Sequence, residues 1–280
     1  MAKKNLVYLW SMRNAAADKA GQYITYKGDQ RYMKSPLEFL VEALNDTELG
    51  DAYALRGVLF DDDVDSERDQ LALKGYGFSY MPGARWFYPP TLEVQGVRVN
   101  SLLRVVPSAY RRLPLASPER PVAKRMFEER LLTLLQRLKA DVVVIDGLLV
   151  ILDALVRPGA PFSRKIVNIH PGITRSHSPY QRRGAHATLD ALYGARGLRV
   201  TDWKTLATEP VPVVDMTGAS FHYVDTGIDS GEVIVDVLNT RVDPDDTILE
   251  LRWNNFHHSL FPALCEGLAV MAGLPAHLTP

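Results

Sequence analysis

Along the chain, short continuous apolar runs alternate with amphipathic stretches. That is the pattern of strands buried on both faces and the helices that cover them. Residues 6–10 (Leu-Val-Tyr-Leu-Trp) predict a buried first strand. Ser35-Pro36-Leu37-Glu38 predicts a helix start: Ser35 caps, Pro36 suits the first helical position, and Glu38 stands where a capping-box partner belongs. Leu37, Leu40, Val41 and Leu44 share one face of that helix, which should end near Asn45. Residues 54–60 predict a second strand, and Asp61-Asp62-Asp63 behind it reads as a solvated acidic loop. Residues 121–139 predict an amphipathic helix, with Phe127, Leu131, Leu134, Leu135 and Leu138 near helical spacing. Residues 141–146 predict the next buried strand, Gly147 and a short helical run follow, and residues 166–169 predict another strand. This alternation predicts an α/β fold: a mostly parallel twisted sheet, Rossmann-like, with helices on both faces. Sites in such folds lie beyond the carboxyl ends of the strands.

Residues 75–121 break the pattern. They are rich in Gly, Pro, Tyr and Arg, hold no sustained period, and predict long loops with short strands. Composition then narrows the function. Apolar residues are 46% and charged residues 23% of 280, an ordinary globular balance that excludes a disordered, collagen-like or coiled-coil chain. The 32 Lys and Arg nearly cancel 33 Asp and Glu, which argues against gripping a nucleic-acid backbone. The single cysteine, Cys265, excludes an intramolecular disulfide and a cysteine-cluster metal site, and suits a reducing, cytoplasmic setting. The longest apolar stretch, residues 142–156, is interrupted by Asp146 and Asp153 and is too short to span a membrane. The first apolar run is also shorter than a signal peptide requires. No membrane partner is expected, and protein partners are left open.

The chemistry concentrates in two segments. In Asn168-Ile169-His170-Pro171-Gly172, Asn168 and His170 are two apart on a strand, so they face the same side at its carboxyl end. The second segment runs from Thr217-Gly218 through His222 and Asp225 to Asp229-Ser230-Gly231, and reads as strand, acidic glycine-containing loop, strand. Taken singly, a His near a strand end or an Asp in a turn is ordinary structural chemistry. Together, Asn, His and Asp supply an oxyanion donor, a proton carrier and a carboxylate to orient and stabilise it. No serine sits in a nucleophile elbow and Cys265 lies in an apolar helical stretch, so covalent catalysis is not favoured.

Asn168-Ile169-His170-Pro171, then Thr217-Gly218 with His222 and Val224, then Asp229, Gly231 and Ile234, resemble the signature of 10-formyltetrahydrofolate-dependent formyltransferases of the glycinamide ribonucleotide transformylase type. The resemblance runs from about Phe127 to Gly273 and ends in Phe261-Pro262-Ala263-Leu264. It implies one formyltransferase domain over residues 1–280, with 75–121 as a loop-rich insertion and 122–273 as the folate-binding and catalytic part. It implies 10-formyltetrahydrofolate as cosubstrate and no metal. Carried over by motif, Asn168, His170 and Asp229 correspond to the catalytic trio, and His222 to a strand histidine of more structural character. The pterin pocket would come from Leu148, Leu149, Val150 and Ile151 after Gly147, and from Asp225, Thr226, Gly227 and Ile228.

Departures from the family pattern bear on the acceptor. The ribonucleotide enzymes follow strand one with a Gly-rich phosphate loop. Here Ser11-Met12-Arg13-Asn14-Ala15-Ala16-Ala17 follows, with no glycine until Gly21. Residues 175–183 and 194–214 read as insertions. Residues 6–21 and the chain length resemble the hydroxyornithine-formylating branch of the family, which serves pyoverdine siderophore synthesis. That branch implies formyl transfer to the hydroxylamine nitrogen of N5-hydroxyornithine, a small-molecule acceptor whose amino-acid end Arg13 or Asn14 would contact. The alternatives are a phosphoribosylglycinamide formyltransferase with an unusual phosphate site, a formyltransferase for another amine, and a folate-binding module without the chemistry.

Overall fold

The computed structural model describes residues 2–63, 65–75, 89 and 91–275. Its centre is a seven-stranded sheet. In chain order the strands are β1 (Lys4–Ser11), β2 (Tyr53–Asp62), β3 (Leu103–Pro107), β4 (Val142–Asp146), β5 (Ile166–His170), β6 (Met216–Tyr223) and β7 (Val233–Arg241). They lie side by side in the order β7-β6-β5-β4-β1-β2-β3. β5, β4, β1, β2 and β3 are mutually parallel, β6 runs antiparallel to β5, and β7 antiparallel to β6. The helices the site depends on are α1 (Met12–Ala17), α2 (Pro36–Asp46), α3 (Arg120–Arg137), α4 (Ala187–Ala195), α5 (Ile248–Asn255) and α6 (Phe261–Ala272).

β1 shows why the sheet is buried on both faces. Leu6, Tyr8 and Trp10 point into one core with Leu40 and Leu44 of α2 and Leu264 and Leu268 of α6. Val7 and Leu9 point into the other, with Phe127, Leu131 and Leu135 of α3. A two-residue period in side-chain direction and apolar residues at both phases produce this continuous run. α2 begins as expected: Ser35 Oγ accepts from the Glu38 amide at 3.0 Å, and Glu38 Oε2 accepts from the Ser35 amide at 2.8 Å. α5 has the same device in Thr247 and Glu250.

The structure departs from the sequence reading in three places. Asp61, Asp62 and Asp63 are not a solvated loop; they are 1%, 3% and 4% exposed at the end of β2. Arg13 and Arg111 pair with Asp61, and Arg112 pairs with Asp63, so basic residues from elsewhere compensate the buried charge. Within residues 75–121, of which 76–88 and 90 lie outside the described residues, β3 is one of the short strands expected there and forms an edge of the central sheet. The run after Gly147 turns helical only at Asp153–Val156, leaving residues 148–151 irregular. The hairpins Gln22–Tyr26 with Asp29–Met33 and Leu198–Asp202 with Ala207–Pro210 have no counterpart in the sequence reading.

Candidate active site

β4 and β5 end together, and the loop between β6 and β7 folds over their carboxyl ends. Between them lies a cavity of about 450 Å³. Its wall contains Asn168, His170, His222 and Asp229, together with Leu148, Leu149, Val150, Ile151, Asp225, Gly227 and Ile228. Of the folate-pocket residues expected from sequence, Thr226 does not line it. Asn14 lines it too. Arg13 does not; its guanidinium is held by Asp61 at 2.6 Å and Asp69 at 2.8 Å. Ser11 passes directly into α1.

The parallel register sets Asn168 opposite Ile145, and the antiparallel register sets His222 opposite Asn168 and Ser220 opposite His170. Sheet pairing thus brings three polar side chains to one place. Asp229 joins them from the loop. Its Oδ1 accepts from Asn168 Nδ2 at 3.1 Å and lies 3.5 Å from His222 Nε2. Its Oδ2 accepts from the Gly184 amide at 2.8 Å and lies 3.4 Å from His170 Nδ1. Asp229 achieves this with φ +46°, a left-handed conformation that Asp tolerates better than most side chains. Asp225 braces the loop by accepting from the Gly227 amide at 3.0 Å and the Ser230 hydroxyl at 2.8 Å.

The tautomers follow from the partners. His170 Nε2 stands 3.0 Å from the Arg182 carbonyl, which only accepts, so Nε2 carries a proton. The lone pair of neutral His170 is therefore on Nδ1, beside Asp229. His222 Nδ1 likewise donates to the Tyr223 carbonyl at 2.8 Å, leaving Nε2 to face Asn168 Nδ2 at 3.4 Å. Burial lowers the His170 pKa from its ordinary 6.5, with Asp229 opposing and the nearby His222 and Arg252 adding to the effect. Burial acts to raise the Asp229 carboxyl. With the histidines protonated, a hydrogen bond from His222, the charge of His170 and the Gly184 amide outweigh it, so the carboxyl titrates well below the usual carboxylate range. The site thus combines an ionised carboxylate with a histidine that is neutral at pH 7 and can take up one proton. Cys265 is buried in α6 and its thiol is pushed up to about 12, which suits packing rather than nucleophilic work.

Main-chain groups supply contacts that sequence reasoning missed: the Arg182 carbonyl and the Gly184 amide orient the two ends of the His170–Asp229 pair. Backbone groups leave no signature of residue type. Arg252 of α5 also lines the cavity and was missed, because nothing near it in sequence resembles a site. Among the described residues no helix is long and apolar enough to cross a membrane.

Fold and site together define a class of acyl-group-transfer enzyme. The formyl transferase family model matches residues 106–264, more than half of the chain, and the protein belongs to that family; it is a formyltransferase. A solved structure described as PvdF of pyoverdin biosynthesis, a structurally unique N10-formyltetrahydrofolate-dependent formyltransferase, is 64% identical to it. That likeness covers 97% of this chain and 99% of the other, with a TM-score of 0.89. Two more distant structures share the fold alone. The phosphoribosylglycinamide formyltransferase of Streptococcus pneumoniae TIGR4 is 20% identical over 96% of this chain and 99% of that one, with a TM-score of 0.50. The glycinamide ribonucleotide transformylase 1 of Symbiobacterium toebii is 16% identical over 97% and 88%, with a TM-score of 0.52.

Proposed function

We propose that this protein transfers the formyl group of 10-formyltetrahydrofolate to the hydroxylamine nitrogen of N5-hydroxyornithine. The product, N5-formyl-N5-hydroxyornithine, carries a hydroxamate suited to a pyoverdine-type siderophore. The observation that carries this reading is the 64% identity, over nearly the full length of both chains, to a formyltransferase of pyoverdin biosynthesis. The passage of β1 directly into α1 supports it, since an amino-acid acceptor brings no phosphate for a glycine loop to hold. In this reading residues 1–280 act as one formyltransferase domain, with 122–273 providing the folate-binding and catalytic part. The enzyme works in the cytoplasm, a setting in keeping with one buried free thiol.

The chemistry assigned to the site is direct transfer. The acceptor nitrogen attacks the formyl carbon and gives a tetrahedral intermediate with negative oxygen and positive nitrogen. Asn168 donates its amide N–H to that oxygen, giving up part of its bond to Asp229. His170 takes the proton from the acceptor nitrogen on Nδ1 and passes it to the folate nitrogen as the C–N bond to tetrahydrofolate breaks. Asp229 stays ionised throughout and stabilises the imidazolium across 3.4 Å. The folate ring is assigned to residues 148–151 and 225–228. A hydroxylamine is uncharged near neutrality far more readily than an alkylamine, whose reference pKa in lysine is about 10.4. The site therefore has no need to deprotonate a cation before attack.

The test is a mass-spectrometric assay with 10-formyltetrahydrofolate and three acceptors side by side: N5-hydroxyornithine, ornithine and glycinamide ribonucleotide. Formylation of hydroxyornithine well above the other two is expected. Faster formylation of the ribonucleotide or of ornithine overturns the assignment.

A further inference from the structure

Beside the Asn168–His170–Asp229 cluster, the cavity wall includes a second polar group where the segment following β1 meets α5. Asn14 and Arg252 form it. Arg252 Nη1 is fixed by Asp18 Oδ1 at 2.7 Å, and both side chains are nearly buried, at 13% and 9% exposure. Asn14 Nδ2 donates to the other oxygen of the same carboxylate at 3.3 Å. Arg252 Nε is buried and has no acceptor among the described residues. Gly147 lets Asn14 in: a Cβ on Gly147 would sit 2.2 Å from Asn14 Nδ2, and its φ of +64° suits glycine.

Charge gives this group its meaning. Among the residues lining the cavity, Arg252 is the one with a permanent positive charge, and the carboxylate paired with it, Asp18, lies outside the wall; Asp225 and Asp229 line the cavity as well. A carboxylate entering the cavity is repelled from the loop between β6 and β7 and drawn to Arg252. Arg13, the arginine that sequence put forward, is already bound to two buried carboxylates and lies outside the wall.

We infer that Arg252, steadied by Asp18 and joined by the amide of Asn14, binds the α-carboxylate of the acceptor, and so selects an amino-acid hydroxylamine over a simple alkyl one. The inference rests on the acceptor assignment above. With the carboxylate on Arg252, the methylene chain lies along Ile145 and delivers the distal nitrogen toward Asn168. A guanidinium offers the planar two-point geometry that a carboxylate prefers, which lysine cannot reproduce.

The experiment compares N5-hydroxyornithine with its decarboxylated counterpart, N-hydroxy-1,4-diaminobutane, using 10-formyltetrahydrofolate throughout. The enzymes are the wild type, Arg252→Gln and Arg252→Lys, with folding checked by circular dichroism. The wild type should prefer hydroxyornithine. Arg252→Gln should lower kcat/KM for hydroxyornithine by about ten- to a hundredfold, chiefly through KM, the loss expected for one charge-assisted pair. It should cost the diaminobutane far less than it costs hydroxyornithine. Arg252→Lys should fall between, and carries the comparison if the Gln variant does not fold. Equal losses on both acceptors, or wild-type discrimination in the variants, overturn the inference while leaving the acceptor assignment standing. A wild type that formylates neither hydroxylamine but does formylate another amine overturns both.

Discussion

Asp229 accepts a hydrogen bond from Asn168, 61 residues away in the chain, at 3.1 Å, and through its other oxygen faces His170 at 3.4 Å. One carboxylate therefore holds both the oxyanion donor and the proton carrier assigned above. Removing Asp229 leaves the other two without their common partner.

Asn168→Ala, His170→Ala and Asp229→Ala should each lose at least about a hundredfold in kcat while keeping a native circular dichroism spectrum. Because the three act as a unit, double variants should be little worse than singles. Steady-state rates of singles and doubles check this. Multiplying losses, or near-native turnover in folded Asp229→Ala, would contradict it.

The pH profile follows from the same pair. His170 must be neutral at Nδ1 to accept a proton, so kcat should fall as pH drops through its pKa. Burial places that pKa below 6.5, and Asp229 pulls it part of the way back. Asp229→Asn removes that pull, so the acid limb of its residual activity should shift to lower pH. The acceptor nitrogen titrates as well, and the displacement between the two enzymes is therefore the diagnostic. A shift to higher pH would count against the assignment.

Gly231 anchors the loop that carries Asp229. A Cβ there would lie 1.8 Å from the Tyr223 carbonyl oxygen, backbone that cannot give way cheaply. Gly231→Ala should displace the loop, lower kcat by about tenfold or more and raise the folate KM, since small misplacements of reacting groups are costly. Stopped-flow binding of the folate with steady-state rates would show both effects.

Arg13 is expected to act on stability rather than on the acceptor. Arg13→Ala leaves Arg111 as the one ion-pair partner of Asp61 among the described residues, so thermal or urea unfolding should report a loss of about 1–3 kcal/mol. Burial has already raised the Asp61 carboxyl to about 6, against the pull of Arg13. Its raised pKa means that Asp61 favours the fold most below its ordinary 3.8 and that this contribution is lost as pH rises through about 6. Without Arg13 that pKa should climb further, so the deficit of the variant should widen from pH 5 to pH 8. An increase in the acceptor KM larger than that of Arg252→Gln would reverse the roles of the two arginines.

The local devices of this protein are legible in its sequence. The strand β1, the capping box of α2, the amphipathic α3 and the two-residue spacing of Asn168 and His170 depend on neighbours within a few positions, and periodicity reports them. The motif order around Asn168, His222 and Asp229 was enough to suggest the family. Which groups meet in space was decided by tertiary structure. The register of β5 with β6 brought His222 against Asn168, and a loop with a left-handed Asp229 closed the cluster. Asp61, Asp62 and Asp63 reversed their expected exposure because arginines from α1 and the segment after β3 came to them. Arg252 entered the cavity wall because α5 meets the end of α1, where Asp18 holds it. Spacing encodes what a residue does to its own turn or strand. The partner of a buried charge is set by strand order and loop path, which bring together residues that no local pattern connects.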